Sequence, residues 1–186
     1  MVPRAYRQAG TLDVEARLDL FRSRIEHYDC SVFRCSRSQL TASVSRALTA
    51  RGKRRLMLPA GVPGEWLPNA FEFVRDAGLS DAELDRCEGA VTGCTVAIAQ
   101  TGTIVLCHGD REGRRALTLI PDYHLCVVFT EQVVETVAEG LRQPEVARSA
   151  LITTISGPSA TADIEMTRIK GVHGPRTLDV VLVDCA

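Results

Sequence analysis

An excess of charge of either sign is missing from this chain. Its 22 lysines and arginines meet 23 aspartates and glutamates, for a net charge of -1 at pH 7. Nucleic acids and anionic membrane surfaces recruit strongly basic faces, so neither is an expected partner. Long apolar runs are also missing, and no stretch approaches the roughly 20 residues of a membrane-spanning helix. The basic start, Met1-Val2-Pro3-Arg4-Ala5-Tyr6-Arg7, has no secretory apolar core, which leads us to expect a cytoplasmic protein. Aromatic residues are scarce at 5%, with Trp66 the single tryptophan. Seven cysteines are present, yet no C-x-x-C occurs, and Cys94, Cys107 and Cys126 sit inside apolar runs, where thiols pack as small core residues. Cys30 and Cys35 flank a predicted strand and face opposite sides, a poor ligand pair. No His, Asp or Glu spacing matches a metal cage. Neither a metal site nor an iron–sulfur cluster is expected in this chain, and any other cofactor is left open.

What is present is an ordinary globular composition, 45% apolar and 24% charged over 186 residues, enough for one domain with a continuous core. Helical spacing of Val14, Leu18, Phe21 and Ile25 predicts a helix over 12–26, then a strand at 31–34, a helix at 38–50 ending at Gly52, and a strand at 55–58. Ser80-Asp81-Ala82-Glu83 reads as a capping box. Residues 91–99 and 103–107 read as a hairpin around Gln100-Thr101-Gly102, residues 117–119 or 124–129 as the next strand, and 131–141 as a helix capped by Thr130. The last third reads as strand 151–155, helix 161–169 and strand 178–183. The expected fold is α/β, a mainly parallel sheet with helices on both faces, plus an N-terminal helical arm. Residues 1–50, the arm and first strand, belong to the same domain as 51–186.

The chemistry-bearing stretch is Ile155-Ser156-Gly157-Pro158-Ser159-Ala160-Thr161-Ala162-Asp163-Ile164-Glu165, followed by Gly171-Val172-His173-Gly174-Pro175. A strand entering a hydroxyl-rich turn and then a helix leaves unpaired N–H groups aimed at an anion, beyond the carboxyl end of the strand. Ser156, Gly157, Ser159, Thr161, Asp163 and Gly174 are therefore candidate ligand-binding residues. Thr101, Gly102 and Thr103, at the hairpin tip, would line the same hollow if the fold brings the two segments together. Glu165 and His173 are candidate proton-transfer groups, the imidazole because it titrates near neutral pH. Asp163 and Glu165 lie two apart and make no carboxylate dyad.

These segments, together with Leu119-Ile120-Pro121 and His124, resemble the LUD-domain family, in particular its LutC-type (YkgG-like) branch. The resemblance covers roughly the last hundred residues well and the N-terminal half loosely. It implies a fold similar to the NagB/RpiA/CoA-transferase superfamily over 51–186, a subunit or accessory role in oxidising L-lactate to pyruvate, and partner subunits that hold the iron–sulfur clusters. Two alternatives stand beside it. One is a free-standing enzyme acting on a sugar phosphate, a CoA thioester or a folate. The other is a non-catalytic scaffold docking through the N-terminal helix.

Overall fold

Asp13 opens the first helix because its carboxylate accepts the Ala16 amide at 2.8 Å, taking up one of the N–H groups that a helix start leaves unpaired. In the computed structural model, which describes residues 7–158, 160–162, 168–170 and 173–185, this helix, α1, runs Val14–Glu26. The next helix, α2 (Leu40–Ala50), follows a 3-10 turn at Arg37–Gln39. Three short helices follow: α3 (Asp81–Asp85), α4 (Val137–Arg142) and α5 (Pro144–Arg148).

Six strands build the main sheet. They are β1 (Ser31–Ser36), β2 (Arg55–Leu58), β3 (Glu72–Arg75), β4 (Gly89–Thr92), β7 (Tyr123–Phe129) and β12 (Thr177–Asp184), in the order β1-β12-β7-β4-β2-β3. Every pairing in it is parallel. A parallel sheet must be covered on both faces. On one face Leu40, Val44, Ala47 and Leu48 of α2 pack on Leu56, Leu125, Val127 and Val181, with Trp66 buried against Phe129. On the other, Leu18, Phe21 and Ile25 of α1 pack on Cys126, Val128, Val180 and Leu182. The α/β expectation, a mainly parallel sheet with helices, describes this architecture.

A second sheet shares the α1 face. Its strands are β5 (Val96–Ile98), β6 (Thr103–Leu106), β8 (Val133–Val134) and β9 (Thr153–Ile155), in the order β8-β5-β6-β9, with β6 antiparallel to both of its neighbours. The expected hairpin is thus present. The extended segment 91–99, however, is two strands: the chain leaves the main sheet after Thr92 and joins the second at Val96. Gly93 and Thr95 bond out of the ladder, to Arg111 and Val105.

Two predicted helices are corrected. Residues 131–141 form a 3-10 turn, the short strand β8 and then α4, whose cap is Thr136 rather than Thr130. The Thr136/Glu139 capping box starts the helix late, and β-branched Val133 and Val134 are taken by the edge of the second sheet. The predicted helix at 161–169 is contradicted as well. Strands β10 (Ala160–Ala162) and β11 (Arg168–Lys170) pair antiparallel, with Thr161 opposite Ile169. The β-branched content of that stretch favours strand over helix.

The N-terminal arm is fastened to the body. The amides of Thr11 and Leu12 donate to buried Glu135, that of Gly10 donates to Glu139, and Arg7 pairs with Glu135. β1 is an edge strand of the main sheet, hydrogen-bonded to β12 along its whole length. No helix among the described residues is long and apolar enough to cross a membrane.

Candidate functional site

Because β6 and β9 are antiparallel with Ile104 opposite Ile155, the next pair outward is Thr103 and Ser156. Their hydroxyls lie 2.8 Å apart, and Thr101 Oγ1 lies 2.7 Å from Thr103 Oγ1, making a chain of three hydroxyls. The hairpin tip and the Ser156 bend therefore meet, as the sequence required of a shared site. Gly102 and Gly157 mark where both turn against α1 and the residues after it. With φ of +60° and +87°, each is left-handed, and a Cβ would fall 2.9 Å from Arg24 C at Gly102 and 2.4 Å from Tyr28 Cβ at Gly157.

A cavity of about 220 Å³ opens beside Ser156. Ser156, Gly157 and Pro158 form one wall, and His173, Gly174 and Pro175 another. Its floor is Arg115, Thr118, His124, Thr153 and Leu178. Thr101, Gly102 and Thr103 are not among the described residues that line it, and Thr103 is joined to the lining by its hydroxyl contact with Ser156. Of the remaining candidates, Thr161 lies in β10, while Ser159, Asp163 and Glu165 fall outside the described residues.

Two expectations about the hollow change. The strand ahead of Ser156 is β9 of the second sheet, so the rule for carboxyl ends of parallel strands does not apply to it. The cavity instead abuts the amino-terminal ends of β7 and β12, at His124 and Leu178. Nor does a helix start supply positive potential there, since residues 160–162 are strand. The charge comes from Arg115, a residue the sequence reading passed over.

Arg115 sits in the 3-10 turn Arg115–Thr118 and is half-buried. Its Nη1 donates to Thr118 O at 2.7 Å and its Nη2 to His173 O at 3.0 Å, so it ties the loop before β12 to the floor. Burial lowers its pKa from the ordinary guanidinium value. No described carboxylate lies within ion-pair reach of it.

His124 is the second missed residue, 1% exposed and second in the wholly buried strand β7. Its Nε2 lies 2.7 Å from Thr92 Oγ1, on the diagonal between β4 and β7. That hydroxyl has one proton, and Gly93 O accepts it at 2.8 Å. Both contacts are satisfied together only if Nε2–H donates to Thr92, which leaves Nδ1 a bare lone pair. Buried Nδ1 has no hydrogen-bond partner among the described residues. Burial first, and the Arg115 charge second, lower the His124 pKa from 6.5 to about 4, so the ring is neutral at physiological pH.

That shift ties stability to pH. The unfolded chain takes up the His124 proton near pH 6.5 and the folded one only near 4, so the stabilisation is full above 6.5 and drains away towards 4. Going from pH 7 to pH 5 should cost about 2 kcal/mol through this residue alone. Urea denaturation at both values should show the loss in the wild type and a smaller one in His124→Gln. Equal losses would acquit His124.

The signals for these two residues were present but faint: a histidine inside the apolar run Tyr123–Phe129, and an arginine beside another in a loop. The other loop histidine, His108, braces the site from behind through Gly113 O at 2.9 Å and Thr153 Oγ1 at 2.8 Å.

Comparison with known proteins adds the following. The family model for the LUD domain matches residues 79–183. Lactate utilization protein C of Deinococcus radiodurans is 46% identical over 169 residues, covering 89% of this chain and 79% of that protein. Lactate utilization protein C of Shouchella clausii is 30% identical over 115 residues, and uncharacterized protein YkgG of Escherichia coli 33% over 122. The chain spans about half the length of these two, 50% and 52%. Among solved structures, the crystal structure of a DUF162 family protein from Deinococcus radiodurans superposes with a TM-score of 0.81 at 41% identity, covering 93% of this chain and 99% of that one.

Proposed function

Because the chain belongs to the LUD-domain family, we propose that it serves lactate utilisation, as a subunit or accessory of L-lactate oxidation, and that the cavity beside Ser156 holds a small carboxylate. The observation carrying this reading is Arg115, a half-buried cation at the cavity floor with no described carboxylate to neutralise it. A guanidinium offers five donors, and Arg115 commits Nη1 to Thr118 and one Nη2 hydrogen to His173; carboxylates take the remaining edge well. The small volume also supports the reading. It lies below the roughly 300–1,000 Å³ of sites for drug-sized ligands. Coenzyme A and folate ask for more room.

Oxidising lactate to pyruvate removes two electrons and two protons, one proton from the hydroxyl and one from the carbon that bears it. Electron acceptance of that kind is cofactor chemistry, so a partner carrying iron–sulfur clusters completes the reaction. This chain's part is to bind and orient the acid. Ser156, exposed at the wall and backed by Thr103, offers a hydroxyl to the same ligand.

Reconstitution with the iron–sulfur subunits, read as lactate-dependent dye reduction, tests this. Leaving the chain out should abolish the rate. Arg115→Met should lower it about 10- to 100-fold, the worth of one charge-assisted hydrogen-bonded contact. Ser156→Ala should cost only a few-fold, and His173→Ala less, because the bond to Arg115 uses the His173 main-chain carbonyl. An unchanged rate without the chain would remove it from lactate oxidation.

A further inference from the structure

His124 closes the floor of the cavity, yet the carboxylate reading gives it nothing to do. The His124 side chain lines the cavity at 1% exposure, its buried Nδ1 has no hydrogen-bond partner among the described residues, and a cation, Arg115, lines the same hollow. A buried polar atom left without a partner is costly, and a ligand that satisfies it gains that cost in affinity. Because the Nε2–H is committed to Thr92, whose own proton goes to Gly93, the ring can present a hydrogen at Nδ1 only if the Thr92 hydroxyl turns to donate to Nε2 and gives up its bond to Gly93. Nδ1 therefore asks for a donor and rejects an acceptor.

We propose that His124 is a specificity-determining residue that makes the cavity select 2-hydroxycarboxylates: the carboxylate lies on Arg115 and the 2-hydroxyl donates to His124 Nδ1. This rests on the carboxylate reading above and adds to it a choice of oxidation state. A 2-oxo acid turns a lone pair towards a lone pair. The 2-deoxy acid leaves Nδ1 buried and unsatisfied. A hydroxy acid alone meets both groups, so the site would hold the reduced member of a hydroxy/oxo pair and let the oxidised one go. Thr92 and Gly93 act as positioning residues, locking the tautomer through 2.7 and 2.8 Å contacts. A site built around a ligand hydroxyl discriminates strongly against analogues lacking it, because its own polar group is then stranded.

The test is calorimetric binding of L-lactate, pyruvate and propionate to the full chain, with nitrogen-detected NMR of His124 in the wild type. Lactate should bind roughly tenfold more tightly than propionate, the worth of one hydrogen bond to a buried partner, and pyruvate should bind no better than propionate. The imidazole should be protonated at Nε2, and its Nδ1 resonance should move with lactate and stay still with propionate. In His124→Phe the preference for lactate over propionate should vanish. Propionate and lactate binding alike, in an Arg115-dependent way, would overturn the role of His124 while leaving the carboxylate site standing. A lactate preference surviving in His124→Phe, or a proton found on Nδ1, would overturn it too. Binding of none of the three would bring down the carboxylate reading itself, and this inference with it. If His124→Phe does not fold, the wild-type NMR decides.

Discussion

Asp179→Ala should destabilise the protein by about 3–5 kcal/mol, a loss typical of removing one partner from a buried ion pair. The Asp179 side chain is fully buried near the start of β12. Its two oxygens accept from Arg51 Nε at 2.8 Å and Nη2 at 2.7 Å, from the Tyr123 hydroxyl at 3.1 Å and from the Ser31 amide at 3.1 Å. One carboxylate thus pins the amino-terminal ends of three adjacent strands, β1, β7 and β12, to the residue that ends α2. Removing it strands a buried hydroxyl and an amide. Arg51 suffers less, since its side chain is 33% exposed and can turn to water. Burial and the Asp179 charge raise the Tyr123 pKa, so its hydroxyl stays protonated and keeps donating. Asp179→Asn, which retains one acceptor, should cost less than alanine, and Tyr123→Phe about 1 kcal/mol. The measurement is the urea midpoint at unchanged m-value. A loss under 1 kcal/mol for Asp179→Ala would mean that Arg51 and Tyr123 find other partners.

Phe21→Ala should cost about as much, 3–5 kcal/mol. The ring is wholly buried where α1 packs on both the main and the second sheet, in a cluster with Ala97, Ala99, Ile104 and Val128. Two hydrogen-bonded sheets hold that wall in place, so the void has little chance to close. Leu18→Ala should follow at about 2–5 kcal/mol. Val14, 54% exposed at the start of the same helix, should tolerate aspartate within about 0.5 kcal/mol. This ordering separates a helix that packs on its own body from one reserved for docking. Were the stripe a partner surface, the Leu18 and Phe21 changes would leave the midpoint alone and abolish complex formation.

Much of the fold was legible because it rests on local periodicity. Apolar residues at 14, 18, 21 and 25 drew α1, the Ser80/Glu83 box drew α3, and the apolar runs drew β7 and β12. The errors share a cause. Thr161 and Ile169 fit a helix turn or a strand pair in a short segment, and a cross-strand partner settled it. Thr136 beat Thr130 as a cap because Val133 and Val134 found a neighbouring strand first.

Of the candidate site, the primary structure by itself determined the chemistry of the bend: hydroxyls at 101, 103 and 156, glycines at 102 and 157, and a histidine between glycines at 174 and 171. Residue type and local spacing carry that information, and the contact between Thr103 and Ser156 follows once β6 and β9 pair. Only the tertiary structure decided which side chains face the hollow. Arg115, His124 and Ser156 are up to 41 positions apart in sequence, and nothing local distinguishes a buried histidine that reads a ligand from one that fills a core. Charge acts through space, and a lone pair is free or engaged according to what the fold brings beside it. Those facts arise when β4, β7 and β9 come together, and not before.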